Sequence, residues 1–217
     1  MPAPAPNVPD EPEAADAANA AKPESEKEEK PEMTWIDLYD GLYRARAIFL
    51  FQELTQEVTA NITGIMVYLN IEDARKEQYL FINSLGGKMV HGLSVYNTSR
   101  AIRPDVTTLG LGVAASMAAL VLAGGAMTKR IAYPSAWVMI HQPKVKLKAK
   151  PDYSVAAAQQ DVIEIRRLRR SVLFGYAKVA NRPLWIVQRD MERDAHMTAD
   201  EAKSYGIIDE IIEEGFA

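Results

Sequence analysis

The sequence predicts an α/β domain with a largely parallel sheet flanked by helices, and two observations carry that prediction. Between residues 47 and 122, apolar runs of strand length alternate three times with segments of helical period. A repeated strand–helix order of this kind implies crossover connections and parallel pairing. The residues richest in chemistry, Gly86-Gly87, Ser116 and His141, each fall just after a strand. Open α/β sheets hold their ligands beyond the carboxyl ends of their strands.

The elements follow in chain order. Residues 34–43 mix apolar and polar residues without a clear period, whereas Ala47-Ile48-Phe49-Leu50-Phe51 reads as a strand. Residues 55–69 carry Val58, Ile62, Ile65, Met66 and Leu69 at helical spacing, with Thr55 placed to cap them. A second strand, 79–83, is closed by Ser84-Leu85-Gly86-Gly87, and a second helix, 90–102, stops before Pro104. Residues 106–111 form a third strand, and 115–122 a third helix that ends near Gly124-Gly125. Short strands are expected at 130–133 and 136–140. Residues 144–150 alternate strictly, so a strand there would have a face made of Lys144, Lys146, Lys148 and Lys150. A long helix follows over about 154–179, with Val155, Val162, Ile165, Leu168, Val172 and Leu173 as its apolar positions. Pro183 starts another helix, Thr198-Ala199-Asp200-Glu201 a last one, and 207–212 closes as a strand.

Composition narrows the function. The chain has 217 residues, a net charge of −4 and no cysteine, which excludes disulfides and thiolate chemistry and gives no reason to expect nucleic acid. Residues 1–33 hold nine carboxylates against three lysines, a net −6 that leaves +2 for the remainder. That segment also has seven of the twelve prolines and no aromatic residue, so it reads as a solvated acidic tail ahead of a domain at 34–217. It lacks the apolar core of a secretory signal and is too acidic for a transit peptide. Residues 106–128 are 23 positions without a formal charge, long enough to span a bilayer. Their glycines, threonines and small residues fit a buried strand and helix better, so no membrane span is expected.

The chemistry centres on Gly112-Val113-Ala114-Ala115-Ser116-Met117, where a single hydroxyl stands at the start of a buried helix. Backbone N–H groups in a helix's first turn lack intrahelical partners and can hold the oxyanion formed when a serine attacks a carbonyl. This pattern points to a serine hydrolase. Its base must come from His91, His141 or His196. His91 fits a surface helix position and His196 a polar loop. His141 ends the strand Trp137-Val138-Met139-Ile140 and fits either a base or a packed, hydrogen-bonded histidine. Asp190 and Asp194 are both available to orient the base, and spacing does not choose between them. Gly86-Gly87 fits a plain turn or a backbone N–H aimed at a substrate. The following Lys88-Met89 lacks the hydroxyl of a P-loop, so no ATP site is visible.

Four segments together resemble the ClpP peptidase family: Ile82-Asn83-Ser84-Leu85-Gly86-Gly87, Gly112-Val113-Ala114-Ala115-Ser116-Met117, Met139-Ile140-His141-Gln142-Pro143 and Glu192-Arg193-Asp194. The similarity runs from about 35 to 212. Met66-Val67-Tyr68-Leu69-Asn70-Ile71-Glu72-Asp73 and Pro183-Leu184-Trp185 are most like its plastid-encoded branch. The resemblance implies a ClpP/crotonase-like fold with a helical handle at about 144–180. It also implies a catalytic triad of Ser116, His141 and Asp194, and an oxyanion hole formed by the N–H groups of Gly87 and Met117. The implied function is that of a serine endopeptidase subunit of an ATP-dependent Clp protease, cleaving unfolded polypeptides inside a double-ring chamber. Its partners would be other ClpP or ClpR subunits in stacked seven-subunit rings and a ClpC-like AAA+ unfoldase. ATP would be used by that unfoldase and no cofactor by this chain. The setting would be the chloroplast stroma, or alternatively a bacterial cytoplasm. The alternative role is a chiefly structural ring subunit. The related crotonase-type acyl-CoA fold uses backbone oxyanion donors but needs no Ser–His–Asp set.

Several positions depart from the family pattern. Leu85 stands in place of proline and is expected to loosen the turn presenting Gly87, and Ala118 in place of glycine is expected to add a methyl near the scissile site. The handle strand is lysine-rich where glycines are usual, and the His141–Asp194 separation is a few residues longer than usual. Ala101 and Ile131 replace phenylalanines of the unfoldase dock, which Tyr79 and Phe81 fit.

Overall fold

The computed structural model describes residues 37–142 and 154–212. The acidic segment 1–33 and the lysine-alternating segment 144–150 lie outside the described residues. The described chain runs α1 (Leu38–Arg44), β1 (Ala47–Leu50), α2 (Gln56–Glu72), β2 (Gln78–Ser84), α3 (Met89–Ala101), β3 (Val106–Ala115) and α4 (Met117–Ala123). It continues through β4 (Arg130–Ala132), β5 (Trp137–Ile140), α5 (Val155–Val179), α6 (Leu184–Glu192), β6 (Ala195–Thr198), α7 (Ala199–Tyr205) and β7 (Glu210–Ile211). The predicted α/β class with a largely parallel sheet is what forms. Strands β1-β2-β3-β4-β7 are parallel neighbours. The ten-residue β3 serves two partners, because β4 pairs with Thr108–Gly110 while β5 pairs in parallel with Val113–Ala115. Strand β6 then adds to β5 antiparallel.

The sheet buries one face fully. Ile48, Leu50, Leu80 and Ile82 point into a core closed by Ile62, Met66 and Leu69 of α2 and by Val95 and Tyr96 of α3. Alternate residues Phe49, Tyr79 and Phe81 lie on the opposite face, where Phe49 and Phe81 stack with centroids 5.1 Å apart. Phe49 and Tyr79 each remain 39% exposed. All seven residues of α4 are buried, as expected of a helix apolar on every side. Its neighbours must come close: a Cβ on Gly92 of α3 would lie 2.5 Å from the Met117 side chain.

Local signals place most ends correctly. Thr55 caps α2 through its hydroxyl, Ser154 caps α5, and Thr198 and Glu201 form a reciprocal capping box on α7 before Gly206 at φ 96°. Several expectations need correction, among them the closing strand, which spans only Glu210–Ile211 rather than 207–212. Residues 38–44 form α1, capped by Asp37, although their apolar side chains find no buried face and so leave no period. Strand β3 runs to Ala115 rather than 111. At its bulge opposite Ile82 and Ser84, the Asn83 side chain accepts the Val113 N–H at 3.0 Å, which carries the strand past its glycines. The helix after it starts at Met117, not 115. Only the C-terminal half of α5 is buried, by Val172, Leu173, Gly175, Tyr176 and Ala177, while Val155 and Val162 face outward.

The short β7 is held by charge as well as by pairing. Arg130 is 4% exposed, donates from Nε to Asp209 Oδ2 at 2.8 Å and from Nη2 to Oδ1, and donates from Nη1 to the Gly206 carbonyl at 3.0 Å. Burial pushes the Asp209 carboxyl up, but these hydrogen bonds and the arginine charge outweigh it and hold the group below its ordinary 3.8. The ionised carboxylate therefore stabilises the fold above that ordinary value, and the contribution is lost as pH falls through the lower folded value. Asp209→Asn is expected to cost about 2 kcal/mol at neutral pH, the scale for a hydrogen bond to a charged group. Thermal unfolding across pH checks this. The gap from the parent should begin to shrink as pH falls below about 4, and a gap constant down to pH 2 would refute the assignment.

Candidate active site

Strand β3 ends at Ala115 and α4 begins at Met117, so Ser116 must turn the chain in one residue. It does so at φ 57° and ψ −120°, a conformation that costs a non-glycine residue about 1–3 kcal/mol. Hydrogen bonds hold it there. The Ser116 N–H donates to the Met139 carbonyl at 2.8 Å, and the Tyr176 hydroxyl donates to the Ser116 carbonyl at 3.0 Å. The turn puts Oγ at the sheet's edge instead of in the core.

Register delivers the histidine. Ala115 pairs with Met139, and His141 follows Ile140 at the end of β5. The Gln142 N–H, bonded to the Met191 carbonyl at 2.9 Å, ties the chain just beyond it. His141 Nε2 lies 2.7 Å from Ser116 Oγ. Register also delivers the carboxylate. Ile140 pairs antiparallel with Ala195, which sets Asp194 across from His141, and Asp194 Oδ1 is 3.8 Å from His141 Nδ1. His196, expected in a polar loop, instead lies in β6 opposite Met139, and His91 sits on α3.

The two aspartates left open by spacing are separated by the structure. Asp190 is buried and accepts from Arg193 Nη2 at 2.9 Å, from Arg189 at 3.3 Å and from the Tyr205 hydroxyl at 3.2 Å. Burial pushes its carboxyl up, but these donors hold it below the usual value. Asp190 thus braces α6 and α7, whereas Asp194 faces the histidine.

On the other side of Ser116 lies the Gly86-Gly87 turn. The Ser84 hydroxyl donates to the Gln52 carbonyl at 2.6 Å and accepts the Gly86 N–H at 3.1 Å, while the Leu54 N–H donates to the Gly86 carbonyl at 2.8 Å. Leu85 itself is exposed, and these bonds tie the turn on either side of it. Gly86 has φ 90°, and a Cβ there would meet the Ala115 carbonyl at 2.6 Å and the Met117 nitrogen at 2.9 Å. Gly87 is bridged to Leu54, whose carbonyl lies 2.6 Å from where its Cβ would be. Ala118 is wholly buried and does not line the cleft, so its methyl faces the core rather than the reacting atoms.

Ser116, Met117, His141, Gly86 and Gly87 open together onto a cleft of about 940 Å³, whose apolar walls include Met89, Leu168 and Val172. Tyr176 also lines it and was not singled out from the sequence. The available signal was a phenol on the apolar stripe of Val172 and Leu173, since a buried tyrosine hydroxyl needs a partner. Among the described residues, no three His, Cys, Asp or Glu side chains come together as a metal site, and no helix is long and apolar enough to cross a membrane.

A serine hydroxyl on a strained strand–helix turn, within hydrogen-bond reach of a histidine above a parallel sheet, is the arrangement of a serine hydrolase. Comparison with known sequences narrows this. The Clp protease family profile matches residues 28–215. Proteins from Zea mays and Sorghum bicolor, each described as an ATP-dependent Clp protease proteolytic subunit, are 46% identical over 180 residues, covering 82% of this chain and 81% of theirs. A Triticum aestivum protein of the same description matches to the same extent. The chain belongs to the Clp protease family, a family of serine peptidases, and its role is that of a peptidase subunit.

The crowding at Gly86 makes a direct prediction. Gly86→Ala places a methyl against two backbone atoms beside Ser116 at an unfavourable φ, so the turn must shift. A 1 Å misplacement can cost about 10²-fold, and peptidase turnover should fall by that order. Unchanged hydrolysis of a fluorogenic peptide would show that the turn does not need this glycine.

Proposed function

We propose that Ser116 is the nucleophile, His141 its general base, Asp194 the orienting carboxylate, and the N–H groups of Gly87 and Met117 the oxyanion hole. The observation that carries this reading is the 2.7 Å contact between Ser116 Oγ and His141 Nε2. Ser116 Oγ attacks the substrate carbonyl as His141 Nε2 takes its proton, and the carbonyl oxygen becomes an oxyanion facing the two N–H groups. The C–N bond breaks as His141 returns the proton to the leaving amine. A water molecule, deprotonated by His141, then attacks the acyl carbon and frees Ser116. Asp194 holds the imidazole in the tautomer that accepts at Nε2 and balances its positive charge.

The wider reading takes this chain as one subunit of an ATP-dependent Clp protease that cleaves unfolded polypeptides inside stacked seven-subunit rings. Other ClpP or ClpR subunits would complete the rings. A ClpC-like AAA+ unfoldase would use ATP, this chain needing no cofactor. The descriptions and plant sources of its relatives support that reading and a chloroplast stromal setting, with a bacterial cytoplasm as the alternative. The outward apolar positions of β1, β2 and α5 support assembly with other subunits. The second reading is a chiefly structural ring subunit.

Fluorophosphonate labelling of the assembled complex separates these readings. Labelling that disappears in Ser116→Ala is expected, whereas assembled rings that never label would support the structural role. Asp194→Asn should lower kcat by about 10³–10⁴-fold with assembly intact. Asp190→Asn should lower thermal stability and leave kcat within about ten-fold. The reverse pattern would exchange the roles of the two aspartates.

A further inference from the structure

We propose that Tyr176 is a positioning residue whose hydroxyl, by holding the Ser116 carbonyl, sets the peptide plane that presents the Met117 N–H to the oxyanion. The inference rests on the nucleophile reading above. It adds a residue from α5, sixty positions beyond Ser116, to the support of the site.

The geometry starts from the peptide unit. The Ser116 carbonyl and the Met117 N–H belong to one rigid plane, and in a trans peptide they point in opposite directions. Whatever fixes the carbonyl therefore fixes the N–H. The helix does so only weakly: its first bond, from the Leu120 N–H to the Ser116 carbonyl, is 3.4 Å long. The Tyr176 hydroxyl reaches the same oxygen at 3.0 Å. On the site's other flank stands Gly86, with room for no Cβ between the Ala115 carbonyl and the Met117 nitrogen. The peptide is thus held through its oxygen by Tyr176 and hemmed in at its nitrogen by Gly86.

Tyr176 is built to stay in this position. It is 2% exposed and lies in the buried half of α5 beside Val172, Leu173 and Ala177. Gly175, next to it, lets α5 approach α4, since a Cβ there would already be 3.1 Å from the Leu120 side chain. Burial pushes the phenol well above its ordinary value, so it remains a protonated donor across the working pH range. Donation to the carbonyl also polarises the amide and makes its N–H a stronger donor. A tyrosine that served packing alone would affect stability without favouring the tetrahedral state over the ground state.

The test is Tyr176→Phe in the assembled complex, which deletes one oxygen and keeps the ring. Removing an oxyanion donor outright costs about 10²–10³-fold in kcat. Loosening one should cost about ten-fold, with KM within about two-fold of the parent. Affinity for a peptide boronate, whose serine adduct places an oxygen in the oxyanion hole, should fall by a similar factor, while the shape of the pH–rate profile stays the same. A kcat and a boronate affinity both within two-fold of the parent would overturn the proposal, whatever happens to the Tm. If the phenylalanine variant does not assemble, 3-fluorotyrosine at 176 keeps the shape and strengthens the donor. Turnover should then rise, and unchanged turnover would overturn the proposal. Persistent labelling in Ser116→Ala would bring down the nucleophile reading and this inference together. Labelling lost in Ser116→Ala with Tyr176→Phe indistinguishable from the parent would bring down this inference alone.

Discussion

The site depends on the pairing of β5, which is parallel to β3 on one side and antiparallel to β6 on the other. Ala115 pairs with Met139 and Ile140 with Ala195. Those two registers bring Ser116, His141 and Asp194 together before any side chain has chosen a rotamer. A slip of one residue in either ladder would turn the histidine or the aspartate to the opposite face. Backbone hydrogen bonds therefore carry the positional precision, and the loops beyond the strands need only be short. The bulge of β3 opposite Asn83 serves the same end, carrying β3 from its partner β4 to its partner β5.

The strain at Ser116 makes sense in this setting. A serine at φ 57° persists only where its surroundings over-determine it. Here the N–H is bound by Met139, the carbonyl by Tyr176, and the flank closed by Gly86. Helix α4 contributes by being buried all round, so the turn cannot relax by tilting the helix outward. A well-packed core, indifferent to chemistry in most of the molecule, becomes part of the active-site scaffold at this junction.

Charge is used in two ways. Arg130 with Asp209, and Arg193 and Arg189 with Asp190, spend their carboxylates on bracing secondary structure. Asp194, four residues beyond Asp190 and at φ 51°, is turned away from that bracing toward His141. The two carboxylates have the same chemistry and differ in which backbone holds them. Elsewhere the apolar residues left outside on β1, β2 and the N-terminal half of α5 fit a subunit that completes its burial against other chains, the assembly proposed for this family member.

The sequence alone determined the strand–helix alternation, the helix caps and the place of the Ser116 hydroxyl at a strand–helix junction, because each is a local property of spacing and residue type. It determined the class of the active site for the same reason, with a lone serine at a helix start and His141 at a strand end. It left α1 unseen, since those residues bury nothing and show no period, and it left His196 in a loop, since β6 exists only through its partner β5. It could not choose between Asp190 and Asp194 without the family resemblance, and it did not single out Tyr176. The surroundings of these residues belong to the tertiary structure. They depend on register and on contacts spanning up to sixty residues, which bring groups together that the chain keeps apart.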